Sequence, residues 1–330
     1  MLICNTTKNQ SIMNKYSFTE KKDTRSGFGA GLMLAAKELP QVVALAADLT
    51  GSVKMDAFAK AYPDRFFQVG IAEANMIGIA AGLAVAGKIP FTGTFAEFST
   101  GRVYDQIRQS VAYSQANVKI YAPHAGLSVG EDGATHQALE DMGMMRMMPG
   151  MAVVHPCDYN QAVQATVAVA KYAGPVYLRC GRPTVPNFTP ADRTFEIGKG
   201  YVLQEGSDIT IIAIGHLVWP ALEAAEALQQ KGIQAEVIDM ATLKPLDTAC
   251  VLASVKKTGC VLTCEEHQIN GGLGDAVANF LVRNYPVPME MLGVDDRFGQ
   301  SGKPQELLDL YGLNTEGIVK KAEALLARKK

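Results

Sequence analysis

The chain reads as an α/β protein of two domains, each a mostly parallel sheet covered by helices on both faces. Three observations lead there. At 330 residues the chain is long enough for two buried cores. Hydrophobic residues make up 48% and charged residues only 19%, a balance that suits packed α/β layers and argues against disorder. Short apolar runs of strand length also alternate with helical stretches almost throughout, which is the rhythm of β-α-β units.

The opening "MLICNTTKNQSIMNKYSFTEKKDT" has no apolar stretch of secretory length. Residues 1–19 are therefore expected to form a soluble, frayed tail, with Met13 as an alternative start. "VVALAAD" (42–48) and "RFFQVG" (65–70) read as strands, and "ANMIGIAAGLAVAG" (74–87) as a helix. "KIPFTGTF", "NVKIYAP", "MAVVHP" and "PVYLRC" supply further strands at helix-sized intervals. After "RPTVPNFTPADRT" (182–194), rich in proline and polar residues, the rhythm restarts. "DITIIAIG", "QAEVIDM" and "GCVLTCEE" are strands there, and "VWPALEAAEALQQKG" is an amphipathic helix closed by glycine. These signals give a first domain over 20–188, a linker, and a smaller α/β domain over 195–330.

Composition also excludes classes. A net charge of −2 leaves no electrostatic footprint for nucleic acid. No apolar run approaches the roughly 18 residues of a membrane span. Six cysteines, at 4, 157, 180, 250, 260 and 264, are scattered without a C-x-x-C pair, so reduced thiols in the cytoplasm are expected. Cys260, Cys264 and His267 have a hint of metal spacing, but the first two flank a strand-like "VLT".

Several glycine patterns suggest phosphate loops. "GLAVAGKI" (82–89) lacks the metal-binding hydroxyl and closes a helix rather than opening one. "GFGAG" (27–31) follows no strand, and helix packing explains it. "NGGLGDAV" (270–277) does lie between a strand and a helix, where an anion or tight packing would suit it. The methionines of "MGMMRMMPGM" (142–151) read as core or interface filler.

Glu73 is a lone carboxylate in the small, apolar stretch "GIAEANMIGIAAGLA". Such a group must be paired, hydrogen-bonded or protonated. A first-turn helix position accounts for its place, and the alanines and glycines around it allow close approach of another backbone. A carboxylate in a dry seam of that kind is suited to tuning a bound heterocycle. "GTFAEFSTGRVYDQIR" (93–108) sets Phe95 and Phe98 at i, i+3 beyond a strand, as core or as a cofactor clamp. Arg25, Ser52, His124 and Arg179 sit at strand ends or adjoining turns, where open α/β sheets bind ligands. Finally, "VGEDGATHQALED" (129–141) packs four carboxylates, one histidine and two glycines into thirteen residues. By composition it suits a metal, a phosphate, a sugar or plain solvent.

Taken together, "DTRSG", "ADLTGS", "GIAEANM", "GTFAEF", "VGEDGATHQ" and "LRCGRP" resemble, in order, the second half of transketolases. "IDMATLKPLD" and "EEHQINGGLGDAV" resemble the C-terminal domain of that superfamily, so the likeness spans about residues 20–330. It implies a thiamine-diphosphate-binding pyrimidine domain followed by a transketolase C-terminal domain, transferring two-carbon ketol units between sugar phosphates. By the same resemblance, Glu73 hydrogen-bonds the aminopyrimidine ring and promotes activation of the thiazolium carbon. Phe95 and Phe98 line the pyrimidine pocket, and Asp48 lies in the matching "DLT-S" turn. Arg25, Ser52, His124 and Arg179 bind the substrate phosphate. Asp132 reads a substrate hydroxyl, and His136 handles the donor's oxygen. Glu140 and Asp141 are expected to start the next helix.

Two positions depart from the family pattern. Ala74 replaces a usual histidine, and Gly101 stands where a pyrimidine-lining tyrosine often lies. The chain also lacks a G-D-G followed by Asn-Asn, the motif that holds the diphosphate and Mg²⁺. The resemblance therefore implies the C-terminal subunit of a split transketolase. Its partner would be an N-terminal subunit carrying that motif, in an α2β2 assembly with self-association, and the metal would be bound mainly by the partner. Rival readings are the beta subunit of a 2-oxoacid dehydrogenase, a 1-deoxyxylulose-5-phosphate synthase-like enzyme, and a non-catalytic scaffold subunit. Substrates of the pentose phosphate pathway and an unusual ketose phosphate fit equally well.

Overall fold

The computed structural model describes residues 16–329. Seven strands form the first sheet: β2 (Val42–Ala46), β3 (Phe66–Gln68), β4 (Ile89–Gly93), β5 (Lys119–Ala122), β6 (Ala152–Val154), β7 (Val176–Arg179) and β12 (Thr242–Lys244). Their order is β12-β6-β7-β5-β4-β2-β3, and every pair is parallel except β12 with β6. Strand periodicity divides the core between the two faces. Val42, Ala44 and Ala46 pack with Phe28, Leu32 and Phe91, while Leu45 faces Met76, Ile77 and Ala80 on the other side.

Helix Thr24–Glu38 lies on the first face against helix Tyr159–Lys171. Gly27 and Gly31 make that approach possible: a Cβ on Gly27 would meet the Tyr159 carbonyl at 2.5 Å, and one on Gly31 the Val163 carbonyl at 2.7 Å. The packing role read for "GFGAG" is the one observed.

β12 was not anticipated. It follows β11 (Ala235–Asp239) of the second sheet, yet it pairs antiparallel with β6 of the first, and His155 N donates to the Ala241 carbonyl at 2.8 Å. The second sheet has the order β14-β13-β10-β11-β9, parallel except for β9. It is formed by β9 (Tyr201–Gln204), β10 (Ile209–Ala213), β11, β13 (Val261–Gln268) and β14 (Met289–Val294). A hairpin-like pair, β1 (Lys21–Asp23) with β8 (Thr184–Pro186), ties the start of the first domain to the strand leading into the linker. The linker is itself pinned, since Asp158 accepts from the Phe188 and Thr189 amides at 2.8 and 2.7 Å.

Residues 16–19 depart from the expected frayed tail. Tyr16 is buried and its hydroxyl donates to the Leu203 carbonyl, and Phe18 meets Trp219 edge-on at 5.0 Å. Burial of aromatic area outweighs the entropy of ordering these few residues. Residues 1–15, including Met13 and Cys4, lie outside the described part.

The methionines at 142, 145, 148 and 151 are core, and Met147 is exposed. Cys260 and Cys264 are both buried in or beside β13 and form no metal group with His267, whose Nδ1 is 2.7 Å from the Gln268 carbonyl. The glycines of "NGGLGDAV" do open a helix, Leu273–Asn284, and they pack tightly: a Cβ on Gly272 would meet Glu265 Oε2 at 1.9 Å, and one on Gly274 the Met291 sulfur at 2.7 Å. The helix N-terminus is met by the chain's own Glu265, which accepts from the Leu273 and Gly274 amides at 2.7 and 2.8 Å and whose carboxyl pKa burial raises to about 7.

Candidate active site

Side chains converge at the carboxyl ends of β2, β4 and β5 and the loops beyond them. Arg25, in the first turn of helix Thr24–Glu38, reaches across this edge. Its Nη1 donates to the Ser52 carbonyl at 3.2 Å and to His124 Nε2 at 3.1 Å, and its Nη2 to the Arg182 carbonyl at 3.1 Å. Guanidinium can only donate, so His124 Nε2 accepts and the ring's proton resides on Nδ1. That Nδ1 is buried without a partner. Burial above all, then the charges of Arg25, Arg182 and Lys54, lower the His124 pKa to about 3. The imidazole is therefore neutral, with one unused donor among three cations. His124 also holds a left-handed backbone, φ 59°, as does Asp48, φ 57°. Strain of this kind collects at functional sites.

Phe95 stacks on His124 with centroids 3.8 Å apart. Phe98 lies nearly parallel to Phe95 at 6.1 Å, and His136 stands edge-on to Phe98 at 5.3 Å. Glu73 opens helix Glu73–Val85 and is buried. Of the three states open to it in sequence, it adopts the paired one: Arg102 Nη1 is 3.0 Å from its Oε1. The same guanidinium covers Phe98 at 4.1 Å, so Arg102 joins the carboxylate to the aromatic floor. Beside it, a Cβ on Gly101 would find only Glu97 Oε1, at 3.7 Å. Arg102 thus lines the floor next to the position where a tyrosine was expected.

The loop Val129–Asp141 forms an adjoining wall. Asp132 is exposed at its tip, and His136 is half-buried with Nδ1 3.0 Å from Thr135 Oγ1. Arg182 ties this wall to Arg25: its guanidinium reaches the Val129 carbonyl and lies 3.0 Å from Glu131 Oε2. Asp141 starts helix Asp141–Met147, and Glu140 holds its N-cap position without a side-chain bond to the helix, its carboxylate accepting from the Leu139 amide at 2.9 Å. Asp48 lies at the exposed end of β2, its amide donating to Gln68 Oε1 at 2.8 Å. No contact links it to the cradle.

Arg179 does not belong to this group, which corrects the expectation that it meets a ligand. It is fully buried as the last residue of β7. Its Nε and Nη2 contact Asp141 at 2.7 and 3.1 Å, Nη1 lies 3.1 Å from His155 Nε2, and Nη2 also donates to the Ala138 and Glu266 carbonyls. Burial would push the Asp141 carboxyl up, yet the Arg179 charge and hydrogen bonds hold it below the usual range. No arm of Arg179 remains for a substrate. Arg182, which the sequence reading did not single out, is the arginine that stands beside Arg25 and the Val129–Asp141 wall. The usable signal was position: Arg179 ends a wholly apolar strand, whereas Arg182 follows in the loop where ligands bind.

The layout defines an open α/β domain whose ligand groups sit at the carboxyl edge of a parallel sheet, with a second α/β domain behind it. Relatives identify the kind. The family descriptions "Transketolase, pyrimidine binding domain" and "Transketolase, C-terminal domain" match residues 20–187 and 198–318. The 6-deoxy-6-sulfo-D-fructose transketolase subunit of Clostridium sp. is 43% identical over 90% of this chain and 92% of its own. An apulose-4-phosphate transketolase subunit of Phocaeicola vulgatus is 40% identical over 90% of this chain and 96% of its own. A solved structure, titled "Split gene transketolase, inactive beta4 tetramer", superposes with a TM-score of 0.88 at 47% identity, covering 93% of this chain and 99% of that one. The chain belongs to the transketolase family and corresponds to its pyrimidine-binding and C-terminal domains.

Proposed function

We propose that this chain is the C-terminal subunit of a two-chain transketolase, moving a two-carbon ketol unit from a ketose phosphate to an aldose phosphate. The observation that carries the reading is the cradle of Arg25, Arg182 and His124, with a buried imidazole N–H that lacks an acceptor. Guanidinium groups and two buried donors without a hydrogen bond, His124 Nδ1 and Arg25 Nε, suit a phosphate. A 2-oxoacid would bring a carboxylate, which guanidinium also binds, so the preference for a ketose phosphate over a 2-oxoacid rests on the relatives named as transketolase subunits. A scaffold would have no use for an orphaned donor. A sulfonate would suit the cradle as well, and one relative's name specifies a sulfosugar.

The residues present also fit the ring end of thiamine diphosphate: Glu73 is a buried carboxylate beside the aromatic pair Phe95 and Phe98. Thiamine diphosphate, when bound, supplies the electron sink for carbon–carbon cleavage. Glu73 would hold a ring nitrogen, and Arg102 would yield or share the carboxylate to admit it. Phe95 and Phe98 would exclude water from that ring. Asp132 would orient a sugar hydroxyl, and His136 would hold or move the proton of the donor's oxygen. Arg25 and Arg182, with Ser52 beside them, fix the far end of the sugar.

The diphosphate and Mg²⁺ end is not matched here. Oxygen ligands are needed, and among the described residues no group of three or more His, Cys, Asp or Glu is placed to hold a metal ion. That end falls to an N-terminal subunit, in an α2β2 assembly. Helix Glu73–Val85 supports close association, since a Cβ on Gly78 or Gly82 would meet open space and Val85 is 85% exposed. No described helix is long and apolar enough to cross a membrane. With its five described cysteines free, the reading is of a cytoplasmic enzyme.

The test is co-expression with a neighbouring chain carrying the G-D-G…N-N motif. The complex should transfer ketol units only with thiamine diphosphate and Mg²⁺, and Glu73→Ala should abolish turnover while the complex still assembles. Robust turnover by this chain alone would refute the two-chain reading.

A further inference from the structure

The loop carrying Asp132 and His136 bends at Gly126, Gly130 and Gly133, all with positive φ (84°, 88° and 77°). Glycine gives a path, not stiffness, so something else must hold this wall in place. Gln137, buried at its end, supplies the grip. Its Nε2 lies 3.1 Å from the Leu127 and Gly130 carbonyls and 2.9 Å from the Gln300 carbonyl of the C-terminal domain. One NH₂ group with two protons is thus shared between the loop and a segment 163 residues away. The segment presses on the loop elsewhere too. A Cβ on Gly299 would lie 1.9 Å from Gln137 Oε1, and one on Gly133 would lie 2.5 Å from Ser301 Oγ.

We propose that the segment Gly299–Ser301 positions Asp132 and His136 through Gln137, making the C-terminal domain a positioning element of the sugar site. The proposal rests on the reading of Asp132 and His136 as groups that meet substrate oxygens. Gln137 touches no substrate in this scheme; it holds the loop that does. A displacement of about 1 Å at such groups lowers turnover by about a hundredfold.

Two variants approach the contact from opposite sides: Gln137→Ala withdraws the amide, and Gly299→Ala drives a methyl into its oxygen. Ile318→Val, in the core of helix Thr315–Arg328, serves as a destabilised control that leaves the loop alone. In the chain by itself, hydrogen exchange across 130–137 should rise about tenfold or more in both variants and not in the control. In the assembled enzyme both should lower kcat/KM by about 10- to 100-fold. Both should also alter the ratio of kcat/KM between two ketose phosphates that differ in one hydroxyl configuration, a ratio that Ile318→Val preserves. Should either variant fold poorly, Gln137→Met keeps the side-chain volume while withdrawing the amide and is read in the same way. Unchanged exchange in the loop variants overturns the brace, and raised exchange with an unchanged donor ratio overturns the positioning role. An assembled wild type without ketol transfer would defeat the functional reading, while the exchange measurement would still decide the brace.

Discussion

Arg179 and Arg182 stand three residues apart and should respond to the same substitution in opposite ways. Replacing Arg179 with Met leaves Asp141, 0% exposed, without its charge partner in the interior. Breaking a buried pair from one side costs about 3–5 kcal/mol, because an uncompensated charge stays behind. That is roughly 150- to 5,000-fold in the ratio of folded to unfolded chain. With a urea dependence of about 1–3 kcal/mol per molar, the midpoint should fall by about 1 M or more. Replacing Arg182 with Met removes a partly exposed ion pair to Glu131, 37% and 61% exposed, and the hydrogen bond to the Val129 carbonyl. The pair is worth about 0–1 kcal/mol and the hydrogen bond about 0.5–1.5 kcal/mol, so the urea midpoint should fall clearly less than in Arg179→Met. The loss should instead appear in function. A hydrogen bond to a charged group contributes about 1.5–3 kcal/mol, so KM for a phosphorylated substrate should rise about 10- to 150-fold in the assembled enzyme. Circular dichroism in urea and steady-state kinetics read the two effects separately. An Arg179→Met protein of wild-type stability with a raised KM would refute this division of roles and restore Arg179 to the site.

Two further outcomes follow from the geometry. His124, with its pKa lowered to about 3 from 6.5, should give an imidazole NMR signal that stays neutral from pH 8 down to pH 5. Because the unfolded chain takes up that proton first, His124 contributes stability above pH 6.5 that is lost as the pH falls toward 3. A titration midpoint near 6.5 would contradict the cradle. Among the glycines, Gly31→Ala should cost about 1–3 kcal/mol by forcing two helices apart. Gly78→Ala faces open space in the chain alone, so it should gain about 0.4–1 kcal/mol of stability. It should also weaken association in sedimentation, and unchanged association would remove Gly78 from any interface.

Local pattern was enough to read the two α/β domains, because the period of apolar residues is written along the chain and needs no partner. Glu73 was legible for a related reason: a single carboxylate among small apolar residues stands out without any knowledge of its surroundings. Its partner Arg102, 29 residues on, was not legible, since nothing in either segment announces the other. Pairing in space also decided β12, a strand of the second domain that completes the first sheet. The acidic loop shows the same division. Its charges are evident in sequence, but only burial separates Asp141, the counter-ion of Arg179, from Asp132 at the exposed tip. Composition and period record what each segment can do alone. Which arginine faces solvent, which carboxylate it meets, and what braces a glycine-bent loop depend on desolvation and distance, and these arise only when remote segments pack together.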